Sequence, residues 1–286
     1  MSRASEDARA DVRGAANRRE FVPRTLALAS LALLGACASS AQDACRKNEV
    51  IVLGTIHGEH RRSEGYSIDV LKTIVCAIDP DYVLTEIPPD RLSAAQEQFR
   101  ATGTIEEPRV RVFPEYTDVL FPLTREMDFV IVPCAAWTQA MSDERAARLA
   151  LWKTERAGET AEVNAAQARC DEILAAEGLD DDPFGVNSAR YDALTEQGLE
   201  PYDRLFNDDL GPGGWTNINR AHYALIAAAL DAHRGEGKRF LVIYGAGHRY
   251  WFIEQLRLRD DIVLGSLENF VARGSAGRLL PTSHAH

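Results

Sequence analysis

The sequence predicts an α/β protein whose mostly parallel central sheet is flanked by helices. Short continuous apolar runs rich in β-branched residues recur along the chain, which is typical of strands buried on both faces. Segments with apolar residues at helical spacing separate these runs, as in a fold built from strand–helix–strand units. The 286 residues are 45% apolar and 26% charged. This composition excludes fibrous and wholly disordered classes, and the length suffices for a full hydrophobic core.

The first strand–helix–strand unit is predicted between residues 50 and 87. Residues 50–54 form an apolar run that ends at a glycine, which indicates a buried strand. Apolar residues at helical spacing follow in 67–76, where the Ser67 hydroxyl can cap the first turn. A turn at 79–81 ends this helix, and 82–87 form the second strand. Right-handed crossovers are expected to set the first three strands side by side.

The rest of the chain continues this alternation around a helix-rich middle. The predicted elements are helices at 91–101, 116–127 and 251–258, strands at 129–133, 240–245 and 262–264, and a long helix from Thr216 or Asn217 to His233. Helical periodicity dominates 141–214, so we expect a helical insertion between the third and fourth core strands. Residues 48–273 are predicted to form a single domain, followed by a disordered tail at 274–286.

The first 36 residues are predicted to be a signal peptide. An arginine-rich polar segment precedes the apolar stretch 26–36, which is about half the roughly 20 residues needed to span a bilayer. Arg18 and Arg19, followed by Phe21, match the twin-arginine export pattern. Cys37 follows the apolar stretch as in a bacterial lipobox, whereas cleavage after Ala41 would release a soluble product. We therefore expect an exported, periplasmic protein with a linker at 37–47, which meets the membrane only through a lipid anchor.

Charge and cysteine content narrow the classes of partner. The net charge is −11, and removal of 1–36, which hold six arginines and four acidic residues, makes it −13. An acidic domain lacks the basic surface of a nucleic-acid binder, so nucleic acid is not an expected partner. The cysteines of the exported part permit up to two disulfides, and their spacing does not choose among three pairings. These residues are Cys45, Cys76, Cys134 and Cys170.

Two predicted strands are followed by the same pattern, G-x-x-H. His57 comes three residues after Gly54 at the end of the first strand, and His248 comes three residues after Gly245 at the end of the fourth. Glu86 lies at the corresponding end of the second strand. Because residues just past the carboxyl ends of parallel strands face one crevice, the two histidines and the glutamate are expected to converge on one pocket.

The residue types in this pocket are suited to hydrolytic chemistry. Two imidazoles and a carboxylate are suitable ligands for a divalent metal ion with open positions for water and substrate. Such an ion could acidify a water molecule into a nucleophile. Without a metal, Glu86 could act as general base, with His57 and His248 as acid or oxyanion stabilisers. The sequence leaves both chemistries open.

The motifs resemble those of the TraB/TIKI group, within the broader superfamily of erythromycin esterases and ChaN-like lipoproteins. The resemblance is carried, in motif order, by Gly54-Thr55-Ile56-His57, Thr85-Glu86-Ile87-Pro88-Pro89-Asp90-Arg91 and Tyr244-Gly245-Ala246-Gly247-His248. It implies an α/β core with a helical insertion and a site made of both histidines and the intervening glutamate. TIKI members are described as metal-dependent proteases, whereas other branches cleave esters or bind haem.

The resemblance also implies an Arg or Asn-Arg pair on the helix before the last motif. Residues 217–220 match it, which makes Arg220 a candidate for stabilising a developing oxyanion. Other polar residues near the motifs have simpler interpretations. Glu115 is interpreted as an acid in the first turn of a helix, although it could lie beside the site. The remaining expectations place His60 at the entrance, Arg61 and Arg62 in a charged loop, Tyr250 near the pocket and Trp251 in the core, with no role for His222 and His233.

Three functional hypotheses follow from these observations. The first is an exported, metal-dependent hydrolase that cleaves an ester or amide bond of a small molecule or peptide, with His57, Glu86, His248 and Arg220 as catalytic residues. The second is a non-catalytic lipoprotein of the ChaN type that holds haem or a metal with the same histidines. The third is an inactive scaffold that acts through its helical middle. The sequence gives no oligomeric state.

Overall fold

The structure, a computed structural model, describes residues 46–273 and 279–282. In this part of the protein, five parallel strands form the central sheet. They are β1 (Asn48–Thr55), β2 (Tyr82–Thr85), β3 (Val130–Pro133), β4 (Arg239–Gly245) and β5 (Ile262–Gly265). Each strand lies where the apolar runs predict one. The predicted α/β fold class is therefore confirmed.

The strands lie in the order β3-β2-β4-β1-β5 across the sheet. The prediction that the first three strands lie side by side is wrong, because β4 separates β1 from β2. The side chains of residues 240–243 in β4 are fully buried and apolar. A position between two strands, with helices on both faces, removes this strand from water most completely. As a result, the two strands that carry the G-x-x-H patterns are direct neighbours.

Helices cover both faces of the sheet. The α-helices of the described chain are α1 (Ile68–Ile78), α2 (Leu92–Thr102), α3 (Phe121–Leu123), α4 (Gln139–Glu155), α5 (Ala157–Ala176), α6 (Pro183–Val186), α7 (Ala189–Phe206), α8 (Trp215–Ala232) and α9 (Arg249–Arg257). The Ser67 hydroxyl accepts a hydrogen bond from the Val70 N–H, so the predicted cap of α1 is confirmed. The helix expected at 116–127 is instead a π-helical segment, Glu115–Leu120, followed by the short α3.

Alternate side chains of β1 enter two separate cores. Ile51 and Leu53 pack in the core beneath α1, α2 and the π-helical segment. Val50 and Val52 point to the other side of the sheet, where they pack with side chains of α8 and α9. Because both faces are buried, β1 has a continuous apolar run in place of an alternating pattern.

The chain between β3 and β4 includes α4, α5, α6 and α7, and we refer to residues 139–206 as the helical region. Trp152, Tyr202 and Phe206 form a small apolar cluster that joins α4 to α7. The long helix α5 packs along α7. Most side chains of α4 and α5 face solvent, which explains the Ala-, Glu- and Arg-rich composition of this stretch.

The described carboxyl-terminal residues add a second, small sheet. β6 (Val271–Arg273) pairs in antiparallel fashion with β7 (Leu279–Pro281). This strand lies within the tail that the sequence predicts to be disordered from 274. The Thr282 N–H donates to the Phe270 carbonyl at 2.8 Å, and Leu279 packs against the core beneath α1. Burial of the apolar Leu279 side chain against this core explains why residues 279–281 form a strand.

Several predictions concern residues outside the described ranges. The signal peptide, its twin-arginine and lipobox motifs, and Cys45 all lie there. Among the described cysteines, no disulfide links Cys76, Cys134 and Cys170 to one another. Within residues 46–273 and 279–282, no helix has the length and apolar character required to cross a membrane.

Candidate functional site

The two G-x-x-H turns lie next to each other at the carboxyl edge of the sheet. Thr55 of β1 pairs in register with Gly245 of β4. His57 begins a short 3-10 helix directly after β1, and His248 ends another directly after β4. Both histidines line a cleft of about 710 Å³. The predicted convergence of the two turns is therefore seen in the structure.

Each motif begins with a glycine because the other motif lies so close that a side chain would not fit. A Cβ atom at Gly245 would overlap the imidazole ring of His57. A Cβ atom at Gly54 would lie 3.0 Å from the Cα and Cβ atoms of Ala246. Any larger residue at Gly245 would displace the histidine of the first motif, so the two patterns depend on each other.

His57 is held by a buried carboxylate. Its Nδ1–H donates to Glu115 Oε1 at 2.6 Å, and the Thr55 hydroxyl donates to the same oxygen at 3.0 Å. The proton on Nδ1 leaves the Nε2 lone pair free. Burial disfavours the charged imidazole, but the hydrogen bond and charge of Glu115 and the charge of Glu86 outweigh it and raise the pKa of His57.

Glu115 is a site residue, as the less favoured of its two sequence interpretations allowed. The side chain is fully buried, so its role as a plain acid in a helix first turn is wrong. It lies in the first turn of the π-helical segment, 58 positions from its partner His57. No local sequence signal joins two residues that are so far apart.

His248 is held by an amide in place of a carboxylate. The Asn219 Nδ2 donates to the Trp215 carbonyl at 2.9 Å, which turns Oδ1 toward His248. The Nδ1–H of His248 therefore donates to Asn219 Oδ1 at 2.6 Å, and Nε2 keeps its lone pair. The Trp215 ring stacks on His248 at 4.7 Å. Burial, with smaller contributions from His222 and His57, holds the pKa of His248 well below its ordinary value.

Glu86 completes the predicted trio at the end of β2. Its Oε1 lies 3.8 Å from His248 Nε2, and its Oε2 accepts the Gly245 N–H at 3.4 Å. The Glu86 N–H donates to the Tyr116 hydroxyl at 2.8 Å, which fixes the backbone. Burial raises the pKa of Glu86 against the opposing effect of His57.

Among the described residues, Glu86, His222 and His248 form a group of possible metal ligands whose ligand atoms lie within 4.8 Å of one another. His57 is outside this group, so the predicted set of His57, Glu86 and His248 is brought together only in part. His222, for which the sequence analysis expects no role, lies in this group. Its position in the middle of a helix gave no signal, because only the fold of α8 against β4 turns it toward the site.

The protonation of His222 differs from that of the other two histidines. Its Nδ1 accepts the Ala136 N–H at 2.8 Å, so the ring hydrogen of the neutral form lies on Nε2. This Nε2 is buried and has no hydrogen-bond partner in the described protein. Burial lowers the pKa of His222 to about 3, which keeps the ring neutral.

Arg220 does not belong to the site. Its side chain is exposed on α8, whereas the neighbouring Asn219 is fully buried and holds His248. Of the Asn-Arg pair, the asparagine contacts His248 and the arginine does not. On a helix, adjacent residues point about 100° apart, so Asn219 can face inward while Arg220 faces solvent.

The residues around the cleft have mainly structural contacts. His60 is buried, accepts the Ile56 N–H with Nε2 and donates from Nδ1 to the Tyr66 carbonyl, so it shapes the loop and does not line the entrance. The exposed pairs Arg61–Asp118 and Arg62–Glu59 confirm a charged loop. The remaining contacts are Tyr250 with Trp215 Nε1, Trp251 with the core of α8 and α9, and His233 with Glu236.

No family model, no curated protein and no solved structure matches the chain. The resemblance to the TraB/TIKI group thus stays a prediction carried by three short motifs. A fold class alone does not fix an activity, so the function follows from the chemistry of the site.

Proposed function

We propose that the protein is an exported hydrolase that cleaves ester or amide bonds with the help of a divalent metal ion held by His57, Glu86 and His248. One observation carries this proposal. In both G-x-x-H histidines the Nδ1–H is donated to an oxygen, which leaves two Nε2 lone pairs at one cleft beside the Glu86 carboxylate.

The hydrogen-bonding of both histidines suits a metal ion, and two of the three donors, Glu86 and His248, lie close together, whereas His57 is outside their grouping. Metal-binding histidines usually donate their second ring N–H to a carboxylate or carbonyl oxygen, as His57 does to Glu115 and His248 does to Asn219. Bonds of about 2.1 Å would place tetrahedral ligand atoms about 3.4 Å apart. The 3.8 Å between His248 Nε2 and Glu86 Oε1 is close to that spacing. His222 is excluded as a ligand, because its Nε2 carries the hydrogen.

The chain's own groups would bind and orient the scissile carbonyl. Gly247 adds no side chain to the wall of the cleft beside His248, which leaves room there for an acyl group. Trp215 covers one side of His248 and shields it from water. The raised pKa of Glu86 makes its carboxylate a proton acceptor nearer neutral pH than an ordinary glutamate. A bound metal ion would supply Lewis acidity.

Metal analysis of protein purified from an exporting host tests the proposal. We expect one divalent ion per chain and hydrolysis of nitrophenyl esters or short peptides. His57→Ala and His248→Ala should each lower metal content and turnover by about 100-fold or more. His233→Gln, which changes a histidine away from the cleft, is the matched control. Unchanged metal content and turnover in both site variants would contradict the assignment.

The haem-binding alternative makes a different prediction. Both histidines line one wide cleft and offer Nε2, the nitrogen that commonly ligates haem iron. Addition of haem should then give a shifted Soret band in the wild type that His57→Ala abolishes. A spectrum identical to that of free haem would leave the hydrolase as the better proposal.

A further inference from the structure

Two side chains complete the edge of β1 where its pairing with β5 has ended. That pairing ends at Ile51, three residues before the buried Gly54. The Gly54 N–H donates to Asn187 Oδ1 at 2.7 Å. The Gly54 carbonyl accepts the Tyr66 hydroxyl at 2.9 Å and the Asn187 amide at 3.4 Å. Because buried backbone groups need partners, these side chains take the place of a longer β5.

Both partners of Gly54 are themselves fixed. Asn187 is 8% exposed, and its Nδ2 donates to the Pro183 carbonyl at 2.8 Å, which turns Oδ1 toward Gly54. Asn187 lies between α6 and α7, so the contact joins the helical region to the first G-x-x-H motif. Tyr66 is fully buried in the core beneath α1. We refer to Asn187 and Tyr66 as the Gly54 anchor.

The position of Gly54 bears on His57, which follows three residues later. The backbone of His57 is left-handed, with a φ of 49°. This conformation is uncommon for a residue with a Cβ and persists where neighbouring contacts hold it. His57 also lies outside the grouping that contains Glu86 and His248. How closely His57 approaches those two side chains therefore depends on how the first motif is held.

We propose that Asn187 and Tyr66 are positioning residues, which fix His57 relative to His248 by holding both backbone groups of Gly54. The inference rests on the proposed function for the chemistry that His57 performs, but the Gly54 anchor requires no metal. Both side chains are buried, so they act through the backbone of the motif and not on a substrate.

The other end of β1 offers a matched control. Asn48 is fully buried, its Nδ2 donates to the His233 carbonyl at 2.8 Å, and its Oδ1 accepts the Lys238 N–H at 2.9 Å. Asn48→Ala thus removes the same kind of contacts from the same strand, but at the edge of the sheet opposite the cleft. Thermal unfolding of Asn48→Ala and Asn187→Ala measures the stability that each asparagine contributes.

NMR of the metal-free full chain with ¹⁵N-labelled histidine tests the anchor independently of the proposed function. The probe is the Nδ1–H signal of His57, which His57→Ala identifies by its loss. A displaced ring weakens the 2.6 Å hydrogen bond to Glu115, so this signal should move upfield and exchange faster with water in Asn187→Ala. Tyr66→Phe, which retains the buried ring, should cause the same change to a smaller extent.

Two NMR outcomes would overturn the inference. The first is an unchanged His57 signal in both Asn187→Ala and Tyr66→Phe. The second is an equal change in Asn48→Ala, which would mean that any loss of stability disturbs the site. If Asn187→Ala does not fold, Tyr66→Phe carries the test.

Hydrolysis of a nitrophenyl ester separates positioning from substrate binding. In Asn187→Ala, kcat should fall about tenfold and the Co²⁺ Kd should rise about tenfold, while KM changes less than about threefold. Asn48→Ala should retain the wild-type values. A raised KM with an unchanged kcat would overturn the inference. If the wild type neither binds Co²⁺ nor hydrolyses the ester, the proposed function fails, and the NMR result alone decides the anchor.

Discussion

The two G-x-x-H motifs have the same spacing and the same position at a strand end, yet their histidines have opposite electrostatic surroundings. The His57 side chain is 39% exposed and bonds to a carboxylate, which raises its pKa. The His248 side chain is 12% exposed and bonds to a neutral amide, and burial lowers its pKa. A shared motif therefore fixes where a histidine lies, whereas its partner fixes what the histidine can do.

This difference gives the site one imidazole that binds protons well and one that stays neutral. Pairs of groups whose pKa values are separated by their surroundings are typical of sites that carry out acid–base chemistry. The same arrangement without a metal would let His57 donate a proton while His248 or Glu86 accepts one. Metal binding and proton transfer would thus depend on the same two hydrogen bonds, from His57 to Glu115 and from His248 to Asn219.

The largest expected effect concerns the buried neutral histidines near the second motif. The pKa of His222 is about 3 in the folded protein and near 6.5 in the unfolded chain, so the unfolded state binds more protons between these values. The free energy of unfolding is therefore highest above about pH 6.5, and it decreases by up to about 5 kcal/mol as the pH falls toward 3. Urea unfolding of the metal-free protein from pH 7.5 to 4 measures it. His222→Gln should flatten the pH dependence, and equal slopes in both proteins would contradict the assignment.

The contact between the motifs can be broken at Gly245. Gly245→Ala places a methyl group against the His57 ring, so we expect a loss of about 1–3 kcal/mol of stability and displacement of His57. Thermal unfolding and Co²⁺ titration measure the two effects. Gly58→Ala is the matched control, because a Cβ there meets nothing within 4 Å. A Gly245→Ala protein with wild-type metal affinity would show that the motifs are independent.

Glu115, the carboxylate partner of His57, can be replaced by an amide of nearly the same shape. Glu115→Gln deletes the charge that outweighs burial, so the pKa of His57 should fall below its ordinary value. Metal affinity should fall about 10- to 100-fold, as for other partners of metal-binding histidines. Histidine NMR titration and calorimetry are the measurements. A His57 pKa that does not change would show that Glu115 is not the cause of the shift.

The smallest expected effect comes from the reverse exchange, in which the amide partner of His248 is replaced by a carboxylate. Asn219→Asp gives His248 a carboxylate like that of His57, so the pKa of His248 should rise. NMR titration of His248 measures the shift. Arg220→Ala is the matched control on the same helix and should leave this pKa unchanged, since its side chain is exposed. No shift in Asn219→Asp would mean that burial alone governs His248.

Patterns within short segments were predictable. The strands, the cap at Ser67 and the adjacent positions of His57 and His248 follow from apolar runs, a hydroxyl at a helix start and the geometry of parallel sheets. No local periodicity marks Glu115, Asn219 or His222 as a site residue, although the family resemblance pointed to the segment that contains Asn219. Each acts through a partner 29 to 86 positions away in the sequence, namely His57, His248 and Ala136. Helical periodicity describes such residues only as helical.

The α/β class, the strands and the glycines and histidines at the strand ends follow from local apolar content and from backbone freedom at each position. The place of β4 beside β1, the nitrogen of each histidine that carries the hydrogen, and the charge state of each ring follow from the folded arrangement. These properties depend on burial and on hydrogen bonds between distant segments, and such interactions exist only after the chain has folded.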